Sequence, residues 1–97
     1  MAFIQVIEMR TSRFNEIQKL EDKWRAATEG KRTLRRSVVA RDRNDATRHF
    51  IIAFFDSYES AMENSGLPET GEFGLGQAAF VDGASIFTDL DVISDQT

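Results

Sequence analysis

Arg48-His49-Phe50-Ile51-Ile52-Ala53-Phe54-Phe55-Asp56-Ser57-Tyr58-Glu59-Ser60-Ala61-Met62 is the stretch that decides the fold. From Phe50 to Phe55 every residue is apolar. A strand that is apolar at both odd and even positions is buried on both faces. Asp56 then offers an N-cap, with Glu59 three residues on at the capping-box spacing. A helix is predicted from there to Ser65-Gly66. The strand therefore needs cover on two sides.

Working outward, Ala2 to Met9 reads as strand 1, with a turn at Arg10-Thr11-Ser12 in which Thr11 or Ser12 can cap the next helix. That first helix is predicted over Arg13 to Thr28, because Phe14, Ile17, Leu20, Trp24 and Ala27 recur at spacings of three and four. Glu16–Lys19 and Glu21–Arg25 read as surface pairs on its far side. Gly30 stops it. Strand 2 spans Thr33 to Arg41, and the polar run Arg41 to Thr47 turns it back into strand 3. After the capped helix, Pro68 opens a further helix reaching Phe80 or Val81, with Phe73, Gln77, Phe80 and Val81 inward. Its three glycines, Gly71, Gly74 and Gly76, make an irregular helix the expectation, each costing roughly 1 kcal/mol relative to Ala. Strand 4 is predicted over Ser85 to Ile93, with a frayed tail after it.

The order is βαββαβ, a single α+β domain over residues 1–97 with a ferredoxin-like, four-stranded antiparallel sheet and helices on one face. Strand 3 sends Phe50, Ile52 and Phe54 to one face and Ile51, Ala53 and Phe55 to the other. One of these faces is left bare in a monomer. A patch of that size calls for a partner, and a second copy of the chain is the expected one.

Composition narrows the function. The chain has no cysteine and one histidine, His49, which excludes disulfides, thiolate sites and a two-histidine mechanism within one chain. No metal site is expected, and no cofactor. No run approaches the roughly 20 apolar residues of a membrane span, and Met1 to Val6 carry no basic region or cleavage site, so a cytoplasmic protein is expected. The net charge of −4 hides an asymmetry. All 12 Lys and Arg lie in residues 1–48, giving that half +5, while residues 49–97 stand at −9. No aromatic residue interleaves the basic run Lys31-Arg32-Thr33-Leu34-Arg35-Arg36, so nucleic acid is not an expected partner. Charge complementarity between two subunits is the alternative use of the asymmetry. Gly74-Leu75-Gly76-Gln77-Ala78-Ala79 matches G-x-G-x-x-A, but a helix and not a strand precedes it, so nucleotide binding is not expected.

The element order, together with Phe55-Asp56-Ser57-Tyr58-Glu59-Ser60-Ala61-Met62-Glu63-Asn64 and then Glu72-Phe73, resembles the dimeric α/β-barrel proteins of the antibiotic biosynthesis monooxygenase superfamily. In that pattern a strand often ends in Trp, with His nine residues later. Here Phe55 stands at the first position and Asn64 at the second. The resemblance implies a homodimer with a pocket between sheet and helices. It also implies activities that include cofactor-independent oxygenation of polyketide phenols and quinols. Haem degradation is not expected, since Gln5 is the nearest match to the Asn of those members and no His follows His49.

Candidate site residues follow from chemistry. His49 is a candidate base because imidazole transfers protons near neutrality. Gln5 and Arg36 are mid-strand polar residues that must be paired or meet ligand. Catalytic roles are expected for His49, Arg36 and Asn64. Gln5, Trp24, Phe55 and Tyr58 are expected to bind substrate. The expected function is small-molecule binding, with cofactor-independent monooxygenase chemistry on a hydroxyaromatic or polyketide-like compound. The alternative is a non-catalytic dimer that binds a small apolar or aromatic ligand, or is purely structural.

Overall fold

The computed structural model describes residues 2–97. Its elements run β1 (Phe3–Arg10), α1 (Phe14–Ala27), β2 (Arg36–Arg41), β3 (Arg48–Phe55), α2 (Tyr58–Ser65), α3 (Pro68–Ala78) and β4 (Ile86–Asp91). The strands form one antiparallel sheet in the order β2-β3-β1-β4. This is the ferredoxin-like α+β arrangement the sequence predicts, with the second crossover split into two helices. Among the described residues no helix is long and apolar enough to cross a membrane.

The register sorts every strand residue to a face. Phe3 pairs with Phe55, Gln5 with Ala53, Ile7 with Ile51 and Met9 with His49. Directly paired residues project to the same side of a sheet, and this set faces the helices. Burial along β3 alternates accordingly, with His49, Ile51, Ala53 and Phe55 buried and the residues between them half-buried. The opposite face carries Ile4 and Val6 of β1, Phe50, Ile52 and Phe54 of β3, Val38 of β2, and Ile86 and Leu90 of β4. No helix covers it. Ile86 is 58% exposed and Leu90 44%, so a strand apolar on both faces is covered on only one of them.

The cap of α2 differs from the sequence reading. The N-cap is Ser57, not Asp56, and Ser60 stands where Glu59 was expected. Ser57 Oγ accepts from the Ser60 amide at 3.0 Å, and the Ser57 amide donates to Ser60 Oγ at 3.1 Å. A hydroxyl here serves as the Glu of a capping box does. Asp56, released from the cap, is exposed and takes a double hydrogen bond from Arg35, from Nε at 2.9 Å and Nη2 at 2.6 Å. At the start of α1 the N-cap is Arg13, whose side chain makes no cap hydrogen bond. Thr11, fully buried, instead accepts from the Arg13 amide at 2.9 Å and donates to the Phe80 carbonyl, tying β1 to the end of α3.

α1 and α3 pack closely. A Cβ at Gly76 would stand 3.1 Å from Leu20 Cδ1, so that glycine sets the helix spacing. The G-x-G-x-x-A stretch runs from past the first turn of α3 to its C-cap Ala79, away from the helix N-terminus that a phosphate would need.

The core beneath the helices is in two parts. Phe3, Ala53, Phe55 and Ala61 form one cluster, with Leu34 against it. Met9, Ile17 and Ile51 form the other, with Ile7, Phe14, Phe73, Phe80 and Val81 against it. Between them runs the row Ser37–Ala53–Gln5 across three strands. Two small side chains and one polar one cannot fill the space under a helix, and the interior opens there.

Candidate functional site: a cavity between sheet and helices

That opening is a cavity of about 90 Å³. Gln5 and Ile7 of β1, Ser37 of β2, and Ile51, Ala53 and Phe55 of β3 form its floor. Glu21 and Trp24 of α1, Asn64 and Ser65 of α2, Thr70 and Phe73 of α3, and Leu34 form its walls and roof. A second cavity of about 480 Å³ adjoins it toward β4, lined by Gly74, Gln77, Ala78, Val81, Ser85 and Phe87 among others. The two share Gln5, Ile7, Ser65, Thr70 and Phe73, so they lie side by side beneath α3.

Polar groups are few and placed. Trp24 Nε1 donates to Thr70 Oγ1 at 3.0 Å, which fixes the indole as a flat wall. Asn64 Oδ1 accepts from the Thr33 amide at 3.2 Å, leaving its amide N–H2 to offer. Gln5 Nε2 donates to Asp89 Oδ1 on β4 at 3.2 Å. Gln77, also buried, has Nε2 3.4 Å from Ser85 Oγ.

Glu21 contradicts the sequence reading. It was expected at the surface, paired with Arg25, and it is buried, 7% exposed. Its nearest ion-pair approach is Arg25 Nε at 3.9 Å, longer than a hydrogen bond. Oε1 accepts a long bond from Ser37 Oγ at 3.3 Å. Oε2 is buried and has no hydrogen-bond partner among the described residues. The signal for this was in the sequence: Ile17, Glu21, Trp24 and Thr28 follow one another at spacings of four, three and four, and all four are buried. Ser37 and Thr70 were likewise missed. Their types carry no signal, and only the sheet register and the α1–α3 packing bring them here.

Of the residues expected at the site, the structure brings Gln5, Trp24, Phe55 and Asn64 together around the cavity. His49, Arg36 and Tyr58 are not among the residues lining either space. His49 is buried at the opposite end of the helix-facing row, stacked on Phe14 with ring centroids 4.6 Å apart and planes 10° apart. Its Nδ1 lies 3.0 Å from the Thr47 carbonyl oxygen. Arg36 pairs with Phe54 and belongs to the bare face, its guanidinium 5.3 Å from the Phe54 ring centre. Tyr58, half exposed, packs edge-on against Phe3 at 5.5 Å. Among the described residues no three His, Cys, Asp or Glu side chains cluster as metal ligands would.

A two-layer sheet-and-helix domain with a cavity between its layers defines the class. Solved structures of that class are similar to this chain over nearly its whole length. A candidate antibiotic biosynthesis monooxygenase from Caulobacter crescentus CB15 superposes with a TM-score of 0.82 at 12% identity, over 96% of this chain and 91% of that one. A variant of SnoaB, a cofactor-independent oxygenase from Streptomyces nogalater, gives 0.82 at 12%, over 97% and 95%. Rv0793 from Mycobacterium tuberculosis gives 0.81 at 10%, over the full length of both. The fold is thus that of the antibiotic biosynthesis monooxygenase proteins. No protein-family model matches the sequence, and no curated protein does.

Proposed function

We propose that this chain is a homodimeric small-molecule protein that acts as a cofactor-independent monooxygenase on a hydroxyaromatic compound of two or three fused rings. The observation that carries this reading is the pair of adjoining cavities. The inner one has the size for one ring between the Trp24 indole and the Ile51–Ala53–Phe55 floor, and the outer one has room for the rest. Apolar walls with a few converging polar groups are the usual composition of a ligand site. The likeness in fold to SnoaB supports the choice of chemistry.

The reaction balances without a redox cofactor. A hydroxyaromatic with a free ring position and O2 yields a quinone and water: one oxygen atom enters the ring carbon, the other leaves as water, and the ring supplies the electrons. The protein's part is to exclude bulk water, hold the ring and orient the hydroxyl whose electrons feed the attack. With a single histidine, stacked away from the cavity, and no cysteine, the chain has few side chains suited to a transition-metal centre.

Incubation of the protein with 1-naphthol or a hydroxyanthracene under 18O2 tests this. Protein-dependent formation of a quinone carrying one new labelled oxygen is the expected result. Saturable binding of these compounds without label incorporation would replace the enzyme reading by that of a binding protein.

A further inference from the structure

We propose that the adjoining cavities read one neutral ligand through opposite polarity at their two ends: Asn64 offers an N–H to a carbonyl oxygen in the inner cavity, and Gln77 offers a carbonyl oxygen to a hydroxyl in the outer one. The ligand class is an uncharged fused-ring compound with a ketone at one end and a hydroxyl at the other. This rests on the small-molecule reading of the cavities and is independent of turnover. Asn64 is 7% exposed and Gln77 5%. Asn64 lines the inner cavity and not the outer, Gln77 the outer and not the inner. Asn64 stands near the end of α2, and α3 advances about 13 Å between Pro68 and Gln77, so the two groups mark opposite ends of the site.

Each side-chain amide is held by one of its two polar atoms, and the holder fixes which atom is left over. The Thr33 amide only donates, so the Asn64 atom 3.2 Å from it is Oδ1, and Nδ2 is left over. Met9 Sδ only accepts, so the Gln77 atom 4.0 Å from it is Nε2, which also lies 3.4 Å from Ser85 Oγ, and Oε1 is left over. Neither leftover atom has a hydrogen-bond partner among the described residues, and neither is sealed off as Glu21 Oε2 and Glu69 Oε1 are. Both therefore keep accessible surface. In side chains so deeply packed, that surface is where they meet the cavity they line. Buried polar groups are nearly always paired, so a reachable unpaired one marks where a ligand completes the bonding. Charge narrows the class further. Glu21 is the one ionisable side chain lining either cavity, and no Lys, Arg or His does. A ligand anion would meet one acid there and no cation.

Isothermal titration at about pH 6, where a phenolic hydroxyl is un-ionised, tests the assignment. The ligands are 6-hydroxy-1-tetralone, its 6-methoxy and 6-carboxylate analogues, and 5,6,7,8-tetrahydro-2-naphthol, which lacks the ketone. Wild type is expected to bind the hydroxytetralone about fivefold or more tightly than the ether or the ketone-free phenol, and the carboxylate most weakly. Gln77→Met conserves volume but cannot hold the hydroxyl, so hydroxytetralone and ether should bind alike while the preference for the ketone stays. Asn64→Leu should show the reverse. It also leaves the Thr33 amide unpaired and should melt lower; if it does not fold, the wild-type comparison and Gln77→Met decide. Equal binding of hydroxytetralone and ether by wild type, or no gain from the ketone, would overturn the inference and leave the cavities a ligand site. Loss of both preferences together in a folded Gln77→Met would overturn the two-ended reading as well. Absence of binding by all four compounds would overturn the small-molecule reading and this inference with it.

Discussion

His49 and Glu21 both stand in surroundings other than those the sequence suggests. Imidazole is the obvious base in a chain with one histidine, and a Glu four residues before an Arg on a helix is an obvious surface pair. Folding puts the imidazole flat on Phe14 and the carboxylate under α1 at the cavity. His49→Ala is therefore expected to lower stability by about 1–2 kcal/mol through lost stacking and packing. Affinity for 1-naphthol should stay within twofold of wild type. Urea denaturation and titration read the two effects separately, and a large loss of affinity at unchanged stability would bring His49 back into the site.

At the scale of elements, the start of α2 depends on Ser57 rather than on the acid beside it. Ser57→Ala should cost about 1 kcal/mol of stability, whereas Asp56→Ala removes only an exposed pair with Arg35 and should leave the melting temperature nearly unchanged. Thermal melts of the two variants decide between the caps. The β2–β3 turn is held by charge. Asp45 accepts from the Thr47 hydroxyl at 2.7 Å and its amide at 3.0 Å, and pairs with Arg10, which together hold its carboxyl well below the ordinary range. Asp42 is lowered in the same direction, first by the Asn44 amide and then by Arg48. A carboxyl with a depressed folded pKa stabilises the fold fully above its unfolded value, about pH 4, and loses that contribution as pH falls toward the folded value. The melting temperature should therefore hold between pH 7 and 5 and drop progressively below about pH 4. Asp45→Asn should start lower at pH 7 and drop less.

At the scale of the whole molecule, the bare sheet face is the unmet requirement. Phe50, Ile52 and Phe54 stand half-buried on it, flanked by exposed Ile86 and Leu90. A second copy laid on this face would complete the burial of β3. Sedimentation equilibrium is expected to give a dimer of the 11.0 kDa chain at micromolar concentration, and Phe54→Asp is expected to give a folded monomer, because the dimer would bury an unpaired carboxylate. An unchanged dimer in that variant would place the interface elsewhere. Raising salt should weaken the association only modestly. The opposite charges of the two halves of the chain are already paired within one molecule at Lys31–Glu69 and Arg35–Asp56, and exposed pairs contribute only about 0–1 kcal/mol each.

What the sequence determined by itself is the element order and the two-faced burial of β3. Both follow from short-range rules: apolar periodicity, Gly30 at the end of α1 and Pro68 at the start of α3. That Gln5, Trp24, Phe55 and Asn64 line the cavity follows from a related rule, since each lies where a strand or helix phase aims it between the layers. Tertiary structure alone decided the rest. The gap in the core arises because the register sets Ser37, Ala53 and Gln5 side by side from three strands distant in sequence. The helix phase shared with Ile17, Trp24 and Thr28 marks Glu21 as inward, but only the packing decides that one of its oxygens is left unpaired. Cross-strand register depends on contacts between residues far apart in the chain, and no local pattern encodes it.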